Sequence, residues 1–216
     1  MRLNVAIFIF DDVEVLDFTG PFEVFAVTDE LARHTLFNTY TVAELPGVVR
    51  ARNGLRVVPT HTFETAPAPD IIVIPGGIGT RPLLNRPVVI EWVRRQSRVA
   101  QHTVSVCTGA LLLAKAGLLE GLQATTHHLS LDLLRELAPT ATIHNDRRFL
   151  DNGQILTSAG ISAGIDVSLH LIARLESKET AEKTSAHMEY RWANGIGASD
   201  SLSRSASGVR LGGDQQ

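Results

Sequence analysis

The sequence predicts an α/β domain with a mostly parallel sheet and helices on both faces. Two observations carry that expectation. Short apolar runs alternate with longer segments of helical periodicity through most of the chain. The clearest runs, Leu3 to Phe10 and Ile71 to Ile74, are apolar almost throughout rather than at every second residue, as in strands covered on both faces. With 216 residues, a single domain of this kind buries about 70% of its unfolded surface and needs no disulfide or metal to fold.

The elements follow in order. Leu3 to Phe10 is the first strand. Thr19-Gly20-Pro21-Phe22-Glu23 reads as a helix start, with Pro21 at the first helical position and Glu23 at the positive helix end, and the helix should reach about His34. Thr39 to Leu45, Leu55 to Pro59 and Asp70 to Ile74 read as strands. The last ends in Pro75-Gly76-Gly77, a turn that should leave backbone amides open. Pro87 to Gln96 is a helix with Val88, Val89, Ile90, Trp92 and Val93 available for packing. Thr103 to Val106 (strand), Gly109 to Ala116 (helix), Ala124 to Thr126 (short strand) and Leu129 to Leu137 (helix) come next. Asp151-Asn152-Gly153 turns a hairpin between Arg148–Leu150 and Gln154–Thr157, because Asn-Gly supplies the positive φ angles of a tight turn. Ala163 to Leu175 should be a buried helix and Lys178 to Trp192 a more polar one. The expected domain is therefore 1–192. Residues 193–216, rich in Gly and Ser, form a tail with little to bury.

Composition removes several function classes. Lys plus Arg number 20 against 23 Asp plus Glu, a net charge of -3. That leaves no basic footprint for nucleic acid or an anionic membrane. The single cysteine, Cys107, rules out an internal disulfide and multi-cysteine metal sites, and a lone thiol fits a reducing compartment. The apolar run Val5 to Phe10 meets Asp11-Asp12 at once, short of the ~7–15 apolar residues of a secretory signal. No run approaches the ~18 residues of a membrane span. The expectation is a cytoplasmic protein without a membrane partner.

Chemistry in such folds collects at the carboxyl ends of the strands. Val104-Ser105-Val106-Cys107-Thr108-Gly109-Ala110 reads as strand, sharp turn and helix, with Cys107 on the turn. This is the cysteine counterpart of a nucleophile elbow, where Gly109 leaves room for the approaching helix. The helix end behind Cys107 should lower the thiol pKa. A buried, inert cysteine is the competing reading. The Gly76-Gly77 turn could aim amides at developing negative charge, or be a plain turn. Asp17 could cap the first helix. It could instead reach the thiol and move a proton there if the first strand lay beside the strand ending at Cys107. Of His127 and His128, at most one should face the site, because adjacent side chains diverge. No His-x-x-x-His or second cysteine supports a metal. The other histidines read as surface or structural.

Taken in order, Leu16-Asp17-Phe18-Thr19-Gly20-Pro21, Ile74-Pro75-Gly76-Gly77, Ser105-Val106-Cys107-Thr108-Gly109-Ala110, Ala124-Thr125-Thr126-His127 and Thr157-Ser158-Ala159-Gly160-Ile161-Ser162-Ala163-Gly164-Ile165-Asp166 resemble the ThiJ/PfpI superfamily, related to class I glutamine amidotransferase domains. The resemblance covers roughly Leu3 to Trp192. It implies a flavodoxin-like sheet of the ThiJ/PfpI type. Peptidase-like members carry His after the nucleophile, where this chain has Thr108, and many stress-response members use Glu where it has Asp17. Cys-Thr-Gly with Leu-Asp-x-Thr-Gly-Pro is similar to the isocyanide hydratase branch, whose members add water to an isocyanide to give an N-substituted formamide. The resemblance implies attack by the Cys107 thiolate on the isocyanide carbon, a thioimidate, and proton handling by Asp17. Thr108, His127 and the amides near Gly77 and Ile161 would line the substrate pocket. It implies no cofactor, a small-molecule substrate and a homodimer. Domains of this kind also occur in AraC-type regulators, followed there by a helix-turn-helix. The alternatives are a redox- or ligand-sensing module, or a glyoxalase- or amidase-like hydrolase of small carbonyl compounds.

Overall fold

The computed structural model describes residues 2–192, and the tail expected at 193–216 lies outside them. The strands are β1 (Leu3–Phe8), β2 (Phe37–Ala43), β3 (Val49–Arg50), β4 (Arg56–Val57), β5 (His61–Thr62), β6 (Ile71–Ile74), β7 (His102–Ser105), β8 (Gln123–Ala124), β9 (Thr142–Ile143), β10 (Phe149–Asp151) and β11 (Ile155–Ser158). The helices are α1 (Val15–Leu31), α2 (Thr80–Leu83), α3 (Pro87–Val99), α4 (Gly109–Lys115), α5 (Leu131–Leu137), α6 (Ala163–Leu175) and α7 (Lys178–His187). Seven strands form the main sheet in the order β10-β11-β7-β6-β1-β2-β5. Every neighbouring pair is parallel except the β10–β11 hairpin.

Two groups of helices cover this sheet: α1 packs with α6 and α7, while α4 packs with α2, α3 and α5. Covered on both sides, the central strands are apolar without alternation. Ile71 to Ile74 of β6 and Val5 to Phe8 of β1 are all buried. Each such Val, Ile or Phe contributes about 1.5–3 kcal/mol on leaving water. Phe63 stacks on Trp92 at 4.0 Å, and Phe8 tilts against both, closing the core near one sheet edge.

Four elements differ from the sequence expectation. The first helix begins at Val15 rather than near Pro21, so Pro21 lies inside it and Asp17 falls in its first turn. Pro21 gives up one intrahelical bond, but it is buried and its ring packs beside Gly164 of α6. The Leu55–Pro59 segment supplies only the two residues of β4, paired with β3 outside the main sheet. The sheet edge is instead His61–Thr62, a two-residue strand too short to show periodicity. Likewise Gln123–Ala124 pairs with β9 away from the main sheet. The last helix stops at His187, where Glu189 turns to a φ of 50°.

From β1 the sheet grows one way through β2 and β5, then the chain returns to place β6 on the other side of β1. The carboxyl ends of β1 and β6 therefore flank the point where strand order reverses, the usual place for a ligand crevice in open α/β sheets.

Candidate active site

Cys107 sits between β7 and α4 with a φ of 54°, a left-handed conformation that costs a non-glycine residue on the order of 1–3 kcal/mol. Two bonds hold it there. Its amide donates to the Ala159 carbonyl at 3.1 Å, and its own carbonyl accepts from the Thr126 hydroxyl at 2.7 Å. Behind it, a Cβ on Gly109 would lie 1.9 Å from the Ile74 carbonyl oxygen. Only glycine lets α4 start this close to β6. Cys107 is 5% exposed, so the elbow is formed and the thiol is nearly enclosed.

The Gly-Gly turn after β6 is organised differently from the open amides expected. The Gly76 amide donates to Asp17 Oδ2 at 2.9 Å. The Gly77 amide donates to Thr108 Oγ1 at 2.9 Å, and the Thr108 hydroxyl donates back to the Gly77 carbonyl at 3.1 Å. Both amides are thus engaged by the protein itself, because the turn is wedged between α1 and α4. A Cβ on Gly76 would meet the Thr108 amide nitrogen at 2.5 Å and Asp17 Oδ2 at 2.8 Å.

Asp17 is wholly buried, and its Oδ1 has no protein partner. Burial raises its carboxyl to about 7, and the charge of Glu14 adds to this, while the Gly76 amide and the Cys107 thiol beside it pull the other way. Burial likewise pushes the Cys107 thiol up to about 12, reinforced by the Asp17 charge, and the Ile161 and Thr108 amides that reach the sulfur only partly offset it. This corrects the expectation of a lowered thiol pKa. Desolvation and a neighbouring carboxylate outweigh the helix end, as the physics of buried acids requires. The resting pair therefore keeps a proton on sulfur, next to a carboxyl that titrates near neutrality.

Ile161, at a φ of 48°, opens the turn into α6 and directs its amide at the sulfur. His127 is half-buried, and its ring would touch a Cβ on Gly160 at 2.6 Å, which places it beside the same turn. Its Nδ1 accepts from the Leu129 amide at 3.3 Å, and burial lowers its pKa. His128 is exposed, and its ring tilts against that of His127 at 31° with 4.3 Å between centroids. The structure therefore gathers Cys107, Asp17, Gly77, Thr108 and Ile161 closely, with His127 on the flank. Sequence reasoning missed Thr126, which fixes the elbow, and Glu14, whose charge reaches both Asp17 and His127. Thr126 belongs to the Ala124-Thr125-Thr126-His127 motif, and its role could have been found by asking what holds a strained carbonyl. Among the described residues, no group of three or more His, Cys, Asp or Glu could hold a metal ion, and no helix is long and apolar enough to cross a membrane.

Comparison with known proteins identifies the family and the fold. A profile of the DJ-1/PfpI family matches residues 3–174. The chain is 36% identical over 190 residues to the isonitrile hydratase of Pseudomonas putida, covering 88% of this chain and 79% of that enzyme. It is 27% identical to the HTH-type transcriptional regulator GbdR of Pseudomonas aeruginosa over 87% of this chain, but spans only 50% of the regulator. Among solved structures, a ThiJ/PfpI family protein from Pseudomonas syringae superposes with a TM-score of 0.80 at 28% identity, covering 92% of this chain and 79% of that one. Drosophila melanogaster DJ-1beta superposes at 0.77 and 17% identity over 89% of this chain and all of that one, a likeness of fold.

Proposed function

The chain belongs to the DJ-1/PfpI family, and on that premise we propose that it is a hydro-lyase that adds water to an isocyanide through a covalent thioimidate on Cys107. The observation that carries the reading is the buried Asp17 carboxyl, titrating near 7, against a thiol on a strained elbow. A general acid–base works best with a pKa near the working pH.

Each step balances. The Asp17 carboxylate takes the thiol proton as sulfur attacks the terminal isocyanide carbon, and an S–C bond forms. Asp17 returns that proton to the carbon, giving R–N=CH–S–Cys107. Water then adds to the same carbon. Asp17 accepts a proton from the water and passes it to nitrogen, which leaves a tetrahedral adduct with one hydroxyl, one amine and the thioether. The C–S bond breaks, the hydroxyl proton reaches sulfur by way of Asp17, and R–NH–CHO departs. No redox partner is needed, since a thiol and an acid complete the reaction. The Ile161 and Thr108 amides stabilise negative charge on sulfur in both halves of the cycle. In this reading Gly77 and Thr108 hold the turn that backs Asp17, and His127 borders the substrate's entrance. The enzyme acts on a small molecule as a homodimer in the cytoplasm, with residues 1–192 as the catalytic domain and 193–216 as an appended tail.

Incubation with an aryl isocyanide, followed by chromatography for the formamide, tests this. Formamide formed by wild type and not by Cys107→Ser supports it. Stable isocyanide over hours at micromolar enzyme would leave a sensing role as the better account.

A further inference from the structure

The stretch Ala159–Ser162 does two things at once for the sulfur. Its Ala159 carbonyl accepts the Cys107 amide at 3.1 Å, and its Ile161 amide is near enough to the Cys107 sulfur to favour the charged form. Ile161 holds a left-handed φ of 48° to do so, so something must keep the turn from relaxing. Both ends of the stretch are gripped by one residue. The Arg148 backbone carbonyl accepts from the Ala159 amide at 2.9 Å. The Arg148 guanidinium donates through Nη2 to Ser162 Oγ at 3.1 Å and through Nε to Asp166 Oδ2. Asp166 is 1% exposed in the first turn of α6, and the Tyr190 hydroxyl donates to the same oxygen at 3.0 Å. Tyr190 follows the last helix, so the chain's described end closes over this pair. Arg148 itself lies just before β10, on the far side of β11 from Cys107.

We propose that Arg148 is a positioning residue for the nucleophile, clamping the Ala159–Ser162 turn at both ends so that the Ile161 amide stays on the Cys107 sulfur. The planar guanidinium suits this because its fork can hold Ser162 and Asp166 together. Asp166 neutralises it, so the clamp acts by geometry rather than by adding charge to the site. The charged group acting on the sulfur is Asp17 from α1; Glu14, just before α1, acts on Asp17 in turn, and His127 packs against Gly160 of the clamped turn. None of these touches Arg148 in the hydrogen bonds and ion pairs described.

The effect on turnover rests on the hydratase reading, whereas the effect on the thiol does not. The deciding measurement is therefore the pH profile of Cys107 alkylation by iodoacetamide on the full chain. Arg148→Gln should lower the alkylation rate about tenfold across roughly pH 6 to 9, where the thiol is still protonated. Ser162→Ala alters no charge and should move it the same way by less, and Arg148→Lys should fall between wild type and Gln. With an aryl isocyanide, Arg148→Gln should lower kcat and leave KM nearly unchanged. Profiles of Arg148→Gln and Ser162→Ala that superimpose on wild type, with only the melting temperature lowered, would overturn the proposal. If Arg148→Gln fails to fold, the Ser162→Ala profile decides alone. Absence of isocyanide turnover in wild type would strike the hydratase reading and leave the alkylation result standing.

Discussion

The Asp17 carboxyl lies against the Cys107 thiol although their strands are not neighbours. The strand β6 runs between β1 and β7, and α1 reaches across its end, with Asp17 Oδ2 taking the Gly76 amide at 2.9 Å on the way. Under the proposed reaction, Asp17→Asn keeps an acceptor for Gly76 and a group beside sulfur, but cannot carry a proton. Its turnover of an aryl isocyanide should fall by ~10²–10⁴-fold. Steady-state rates within threefold of wild type would remove Asp17 from the chemistry.

The same carboxyl makes stability depend on pH. Its folded value is about 7 against an ordinary 3.8, so between those values the native state binds more protons than the unfolded chain. Stability is then full below about 3.8 and declines as pH rises through about 7. The span corresponds to on the order of 4 kcal/mol at most. Asp17→Asn removes the titration. Its melting temperature should exceed that of wild type at pH 8 and not at pH 4. An equal gain at both pH values would show that the carboxyl is not the cause.

Gly109 and Gly117 flank the same helix but should respond very differently to alanine. A Cβ at Gly109 meets the Ile74 carbonyl oxygen at 1.9 Å, whereas Gly117, with a φ of 71°, has nothing within 4 Å. Gly109→Ala should cost on the order of 3 kcal/mol, and the left-handed strain of Gly117→Ala about 1 kcal/mol. Thermal melts should show Gly109→Ala roughly 6–12 °C below wild type.

Thr126→Val deletes the bond to the Cys107 carbonyl while preserving shape. It leaves the carbonyl with only the long bond from the Ala110 amide at 3.5 Å, a loss of about 1 kcal/mol. Because that carbonyl belongs to the strained residue, alkylation of Cys107 should also slow, by roughly tenfold per 1.4 kcal/mol of lost preorganisation. A variant that melts lower yet reacts at the wild-type rate would make Thr126 a fold residue only.

Leu16, Ile78, Leu129 and Ile161 are all exposed, and each lies within two residues of a group in the site. In the homodimer proposed above, a second copy of the chain would cover apolar side chains of this kind. Light scattering at micromolar concentration should give twice the monomer mass. A monomeric mass would refute the homodimer.

What was legible in the sequence was local. The elbow at Cys107, the glycine pair after β6 and the Asn-Gly hairpin announce themselves through residues a few positions apart. The sheet's direction followed from unbroken apolar runs such as Ile71–Ile74. Long-range features were not legible. Nothing near Asp17 says that β6 intervenes, and a proline at position 21 reads as a helix start, because its burial against α6 lies far along the chain. The direction of the thiol pKa is not legible for the same reason: the helix end is written locally, whereas the burial and the Asp17 carboxylate that outweigh it come from distant parts of the chain. Arg148 gave no signal at all, since its partners, Ser162 and Asp166, are set by tertiary packing.

The left-handed backbone of Cys107 and the solitary Oδ1 of Asp17 both oppose folding. A breeding scheme that rewarded only survival at high temperature would find its easiest gains at these two positions, with glycine at the first and an apolar residue at the second. The hardiest descendants of this chain would then be inert proteins with an intact sheet. Laboratory evolution of this chain therefore needs thiol reactivity as a second criterion in every round, or heat resistance will be bought with the site itself.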